Sequence, residues 1–86
     1  LDPGNPVVGY NLALLLRRQG DLERAQFYIR RLNNSELANA QSLWLGMKIE
    51  HALRNDVALR QLSEQLQRRF PQSPEAGLWA RRAFDE

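Results

Sequence analysis

The 86-residue chain has no cysteine, one histidine (His51), one methionine (Met47) and one lysine (Lys48). Without cysteine there is no disulfide, no thiolate metal site and no cysteine nucleophile. No acidic cluster at ligand spacing joins His51, so no metal site is expected. Its expected place is an exposed position near a helix end, where a charged imidazole complements the helix dipole. A glycine-rich phosphate loop is missing, and Ser63 and Ser73 stand without a base to activate them. Glu50 and His51 are adjacent, which on a helix sends the two side chains in diverging directions. No enzyme activity, catalytic residue, cofactor or metal is expected. The longest apolar run, Leu12 to Leu16, is five residues, against the roughly 18–20 needed to cross a bilayer. No basic-then-apolar signal segment opens the chain. It starts at Leu1-Asp2-Pro3 without an initiator methionine, as expected of a processed or trimmed chain.

What is present is enough for one small folded domain. Apolar residues make up 43% and charged residues 26%, too apolar a balance for a disordered chain. Eleven of the twelve basic residues are arginine, and the net charge is only +2. The pI of about 9.7 therefore reflects a small surplus of arginine and points only weakly to nucleic acid.

Helix punctuation is clear. Asn5-Pro6 is an N-cap followed by proline at the first helical position. Val8, Leu12, Leu15 and Leu16 then recur at helical steps until Gly20, which suits the left-handed residue closing a helix. Asp21 caps a second helix with Leu22, Ala25, Ile29 and Leu32 on one stripe. Asn33-Asn34-Ser35 breaks the pattern. A third helix is expected from Leu37 or Asn39 to Arg54, with Leu45, Ile49 and Leu53 on one face. Asn55-Asp56 repeats the logic of Gly20-Asp21, asparagine serving as the left-handed residue. The fourth helix carries Leu59, Leu62 and Leu66 and ends at Phe70-Pro71. Ser73-Pro74-Glu75 starts a fifth, with Leu78, Trp79 and Phe84. No strand signal competes, so the expected class is all-α with about five helices.

The helical pairs recur. Leu12 and Leu45 lie 33 residues apart, and Pro3 and Pro71 lie 68 apart, twice 34. Tyr10-Asn11-Leu12-Ala13 followed by Gln19-Gly20-Asp21-Leu22-Glu23-Arg24-Ala25 closely resembles the tetratricopeptide repeat. That resemblance implies helical hairpins stacked as a fragment of a right-handed α-solenoid. The expected divisions of this single domain (1–86) are 1–4, the tail of a preceding repeat; 5–35, a first repeat; 37–71, a second and degenerate repeat; and 73–86, a closing helix. In the second repeat Leu45-Gly46 keeps the motif's Leu-Gly pair, Leu59 stands in place of a small alanine, and the turn is expected to be one residue longer. With only two full repeats, marginal stability or contact with a second copy is expected, so a homo-oligomer of the fragment is possible.

A more specific likeness lies in Asn39-Ala40-Gln41-Ser42-Leu43-Trp44-Leu45-Gly46-Met47-Lys48-Ile49, in Leu62-Ser63-Glu64-Gln65-Leu66, and in Arg68-Arg69-Phe70-Pro71-Gln72-Ser73-Pro74-Glu75. This run resembles the C-terminal part of the type IV pilus biogenesis and stability lipoproteins (PilF/PilW). The resemblance implies a pilotin that assists outer-membrane localisation or multimerisation of the pilus secretin. It implies residence at the periplasmic face of the outer membrane through a lipid on an N-terminal cysteine, upstream of Leu1. The implied partner is a protein, the secretin or another pilus-assembly component; the alternative is a tetratricopeptide adaptor in another envelope or cytosolic assembly.

Partners of this architecture bind the concave face lined by the first helix of each pair. Carried onto this chain, the rule gives Val7, Tyr10, Leu14, Arg17 and Arg18 from the first unit, and Leu43, Met47, Glu50 and His51 from the second. Asn11 matches an asparagine with which chaperone-tail-binding repeats hold a peptide. Its second-unit counterpart at this spacing is Trp44 and the paired basic residues are missing, so a chaperone-tail clamp is not expected. The doublets Arg17-Arg18, Arg30-Arg31, Arg68-Arg69 and Arg81-Arg82 are expected to complement helix C-termini rather than bind nucleic acid. Trp44 and Trp79 are expected in the core rather than on the surface.

Overall fold

A computed structural model describes residues 5–84 of the chain; the expected tail of a preceding repeat at 1–4 lies outside them. The described residues form five α-helices and no strand: α1 (Pro6–Arg18), α2 (Leu22–Asn33), α3 (Ala40–Ala52), α4 (Asp56–Arg69) and α5 (Pro74–Ala80). The fold is all-α and built of helical hairpins. Three-residue connections force α2 back along α1, and α4 back along α3.

Each helix starts where a short polar side chain takes up a free backbone N–H. Asn5 accepts from Val7 N at 2.8 Å, Asp21 from Arg24 N at 3.3 Å, Asn55 from Ala58 N at 3.3 Å and Ser73 from Ala76 N at 3.1 Å. At α3 the cap is reciprocal: Asn39 Oδ1 accepts from Ser42 N and Ser42 Oγ accepts from Asn39 N, both at 2.8 Å. That capping box sets the third helix at Ala40 and leaves Leu37 in the preceding turn.

The first helices of successive units start at N-caps Asn5, Asn39 and Ser73, spaced by 34 residues each time. Their closures follow the same interval. Gly20 (φ 82°) and Arg54 (φ 59°) both take the left-handed conformation, and the next residue caps the following helix in each case. Two expectations are corrected. The left-handed residue in the second unit is Arg54, and Asn55 is the N-cap. The second turn is also no longer than the first. Counted from the caps, Tyr10 corresponds to Trp44, Asn11 to Leu45 and Ala13 to Met47, one step away from the Leu12–Leu45 register.

All three closures have the same hydrogen bonds. Asp21 N donates to Leu16 O, Asn55 N to Glu50 O and Ala83 N to Leu78 O, each at 2.9 Å; Gly20, Arg54 and Arg82 donate to Arg17, His51 and Trp79. These are the paired bonds of a helix ended by a left-handed residue. Only the first uses glycine. At Arg54 and Arg82 a Cβ crowds the following carbonyl, at a cost of about 1–2 kcal/mol. Arg82 offsets this by laying its guanidinium 3.6 Å over the Trp79 ring and by a 2.6 Å hydrogen bond from Nη1 to Trp79 O.

Two apolar clusters meet at α3. Ala13, Leu16, Ala25, Ile29 and Leu32 from the first hairpin pack with Leu45 and Ile49. Leu43, Trp44 and Met47 pack with Leu66 and with half-buried Leu59, Leu62, Trp79 and Phe84. Each fully buried Leu, Ile or Met contributes on the order of 1.5–3 kcal/mol, so α3, which supplies four of them (Leu43, Leu45, Met47 and Ile49) with Trp44 buried beside them, dominates the cohesion of the domain. Ala25 is fully buried at the α1–α2 contact, whereas its counterpart Leu59 is half-buried in the second cluster. Gly46 is required by a close approach: a Cβ there would lie 2.7 Å from Asn33 Nδ2 and 3.2 Å from Leu62.

Replacing Arg54 by glycine removes the left-handed strain and touches no buried contact. Urea unfolding of Arg54→Gly is expected to show about 1 kcal/mol of added stability. Arg82→Gly is expected to gain less, because it loses the Trp79 stack and hydrogen bond, worth about 0.5–1 kcal/mol for the stack alone.

Candidate functional site

The first helices α1 and α3 present one side on which part of the expected binding set comes together. Val7 is 63% exposed, Arg18 is exposed, and Tyr10, Leu14 and Arg17 are half-buried. From α3, His51 is exposed and Lys48 half-buried on that side. Lys48 and Arg17 are close enough to repel. The Lys48 ammonium is held below the ordinary lysine range, first by burial and second by the Arg17 charge. The α1–α3 face is therefore cationic, with the Tyr10 and Leu14 side chains offering apolar surface. Lys48 escaped the reading of the sequence; the helical step from Leu14 to its counterpart one unit later would have found it.

Three expected groove residues are elsewhere. Leu43 and Met47 are fully buried, and Glu50 is 1% exposed. The reason is that α3 is covered by α2, α4 and α5 together, so its surface is confined largely to Gln41, Lys48, His51 and Ala52. Leu43 and Met47 face Leu66 and the closing helix. Glu50 faces α2: its carboxylate accepts from Arg30 Nε at 2.7 Å, from Arg30 Nη2 at 3.2 Å and from Gln26 Nε2 at 2.8 Å. A buried carboxylate is tolerated only with such partners. Its hydrogen bond and charge raise Arg30 above the ordinary arginine value, outweighing the opposing desolvation. Arg30 is thus committed to a cross-hairpin tie, whereas Arg17-Arg18, Arg31 and Arg68-Arg69 sit in the last turns of their helices as dipole complementation requires. Arg81 and Arg82 lie past the end of α5.

His51 does not work with Glu50. Its ring stacks on Phe84 at 4.0 Å and 7°, and Phe84 in turn stacks on Trp44 at 5.4 Å and 13°. Trp44 is 4% exposed and belongs to the core. Trp79 is half-buried, edge-on to Phe84.

A cleft of about 220 Å³ opens between α2 and α4, lined by Arg30, Asn33, Asn34, Glu50, Ala58, Gln61, Leu62 and Gln65. Asn33 is only 5% exposed. Its Nδ2 donates to Ser42 O at 3.0 Å, and its Oδ1 has no hydrogen-bond partner among the described residues. A buried acceptor left in that state costs roughly 1–3 kcal/mol. Among the described residues no group of three or more His, Cys, Asp or Glu could hold a metal ion, and no helix is long and apolar enough to cross a membrane.

Comparison with protein-family models, with curated proteins and with solved structures returned no significant match.

Two measurements check these electrostatics. Arg30→Met strands the Glu50 carboxylate and is expected to lower stability by about 2 kcal/mol, with Arg30→Met/Glu50→Leu recovering most of it. Because folding lowers the Lys48 pKa, the unfolded chain holds the extra proton in the window between the folded and ordinary lysine values. Stability should therefore rise with pH across that window. In urea titrations Lys48→Met is expected to remove that part of the rise.

Proposed function

We propose that this chain is a non-enzymatic, protein-binding scaffold built from tetratricopeptide-type hairpins. The observation that carries the reading is the recurrence of caps at Asn5, Asn39 and Ser73 and of left-handed closures at Gly20 and Arg54, both at 34 residues. That interval is one helix–turn–helix unit of such arrays. The binding surface is the cationic α1–α3 face: Tyr10 and Leu14 supply contact area, and Arg17, Arg18 and Lys48 supply positive charge. Such a surface fits an acidic protein segment carrying an apolar side chain.

The assembly we assign it to is the type IV pilus, where it assists outer-membrane localisation or multimerisation of the secretin. Support for this assignment is the residue run from Asn39 to Glu75. The place we assign it, the periplasmic face of the outer membrane, follows from the same run. In a strain lacking the gene, surface pili and heat-resistant secretin multimers are expected to fall. Wild-type protein should restore both, and Arg17→Glu/Lys48→Glu, a charge reversal on the α1–α3 face, should not. Normal multimers in the deletion strain would end the pilus assignment. Full rescue by the double variant would move the binding surface elsewhere.

A further inference from the structure

The α2–α4 cleft takes no part in the α1–α3 surface, yet its chemistry is that of a recognition site. Four of its lining residues are carboxamides: Asn33 and Asn34 at the end of α2, Gln61 and Gln65 on α4. Gln61 and Gln65 are four residues apart and so project from one helical face, one turn from each other. Each carboxamide presents an N–H donor beside a C=O acceptor, the same pair that a peptide group presents. We propose that this cleft binds the backbone of an extended peptide segment, read by the carboxamides of Asn33, Asn34, Gln61 and Gln65.

Asn33 supplies the fixed point. The Nδ2–Ser42 O bond sets the orientation of its amide, leaving a buried Oδ1 with no partner among the described residues. That acceptor has almost no accessible surface, so it is met only as the cleft wall gives way to an entering chain, and the partner it calls for is a neutral N–H donor. Gly46 makes the arrangement possible, since any larger residue would press on Asn33 Nδ2. Charge selects against an ionic ligand, because Arg30 and Glu50, the two charged lining residues, already satisfy each other at 2.7 Å. No aromatic ring lines the cleft, so there is no platform on which a nucleobase or sugar ring would stack. At about 220 Å³ it is smaller than the roughly 300–1,000 Å³ of small-molecule pockets. One or two residues of a passing chain fit that size better.

The inference is independent of the pilus assignment and tested apart from it. The ¹⁵N-labelled 86-residue chain is titrated with N-acetylalanine-N′-methylamide, an uncharged molecule with two peptide groups, and its side-chain NH₂ signals are followed by NMR. Saturable shifts are expected at Asn33, Asn34, Gln61 and Gln65, with a Kd on the order of millimolar for so small a probe. Gln61→Leu/Gln65→Leu should weaken binding about tenfold with an unchanged helical circular-dichroism spectrum. Should that pair unfold the domain, Gln65→Ala alone is expected to weaken binding about threefold. Shifts that never saturate, shifts spread evenly over all surface carboxamides, or retained affinity in the folded variants would overturn the site. A tighter saturable response at the same signals to the neutral disaccharide trehalose would overturn its assignment to peptide. None of these readouts involves pili or secretin, so failure here and failure of the pilus assignment are separately visible.

Discussion

The domain depends on one helix being buried on most of its circumference. Eight of the thirteen residues of α3 are buried, because it closes the first apolar cluster with Leu45 and Ile49 and seeds the second with Leu43, Trp44 and Met47. A helix apolar on one stripe can belong to one hairpin; a helix apolar nearly all round must join two. That position also explains Glu50. A carboxylate at the α2–α3 contact has to be buried, and burial is tolerable only because Arg30 and Gln26 on α2 reach it. The ion pair adds direction to a contact that apolar packing alone would leave free to slide.

The same burial shapes the functional surfaces. With α3 covered on several sides, what remains toward α1 is short and cationic, formed around Arg17 and Lys48. Toward α2 and α4 the remaining opening is lined with carboxamides and contains a self-satisfied ion pair. One face is thus suited to an acidic segment, the other to neutral backbone. Both properties accord with the proposed role of holding a chain.

Capping was legible in the residues because it is local. Asn5, Asp21 and Ser73 each act on a backbone N–H two or three positions away, so donor and acceptor stand together in the sequence. The closure at Arg54 was not legible. Arginine has no preference for the left-handed region, and it is held there by the bonds from Arg54 and Asn55 back to His51 and Glu50 and by the packing of α3 on α4. Placing that residue at Asn55 lengthened the apparent second turn by one, while matching Leu12 to Leu45 separately set the register at 33 and paired Asn11 with Trp44 instead of Leu45.

The sequence by itself determined five helices, the N-caps of three of them (Asn5, Asp21 and Ser73), the hairpin pairing and the approximate repeat length, since helical period and cap chemistry act over a few residues. Only the tertiary structure decided which side of α3 stays exposed. Leu43 and Met47 belonged to a plausible groove until α4 and α5 were seen to cover them. Glu50 had the composition of a surface residue until its partners, 24 and 20 residues away in the chain, were brought to it. Exposure of a side chain is set by what packs over it, and for α3 those covering residues are distant in sequence.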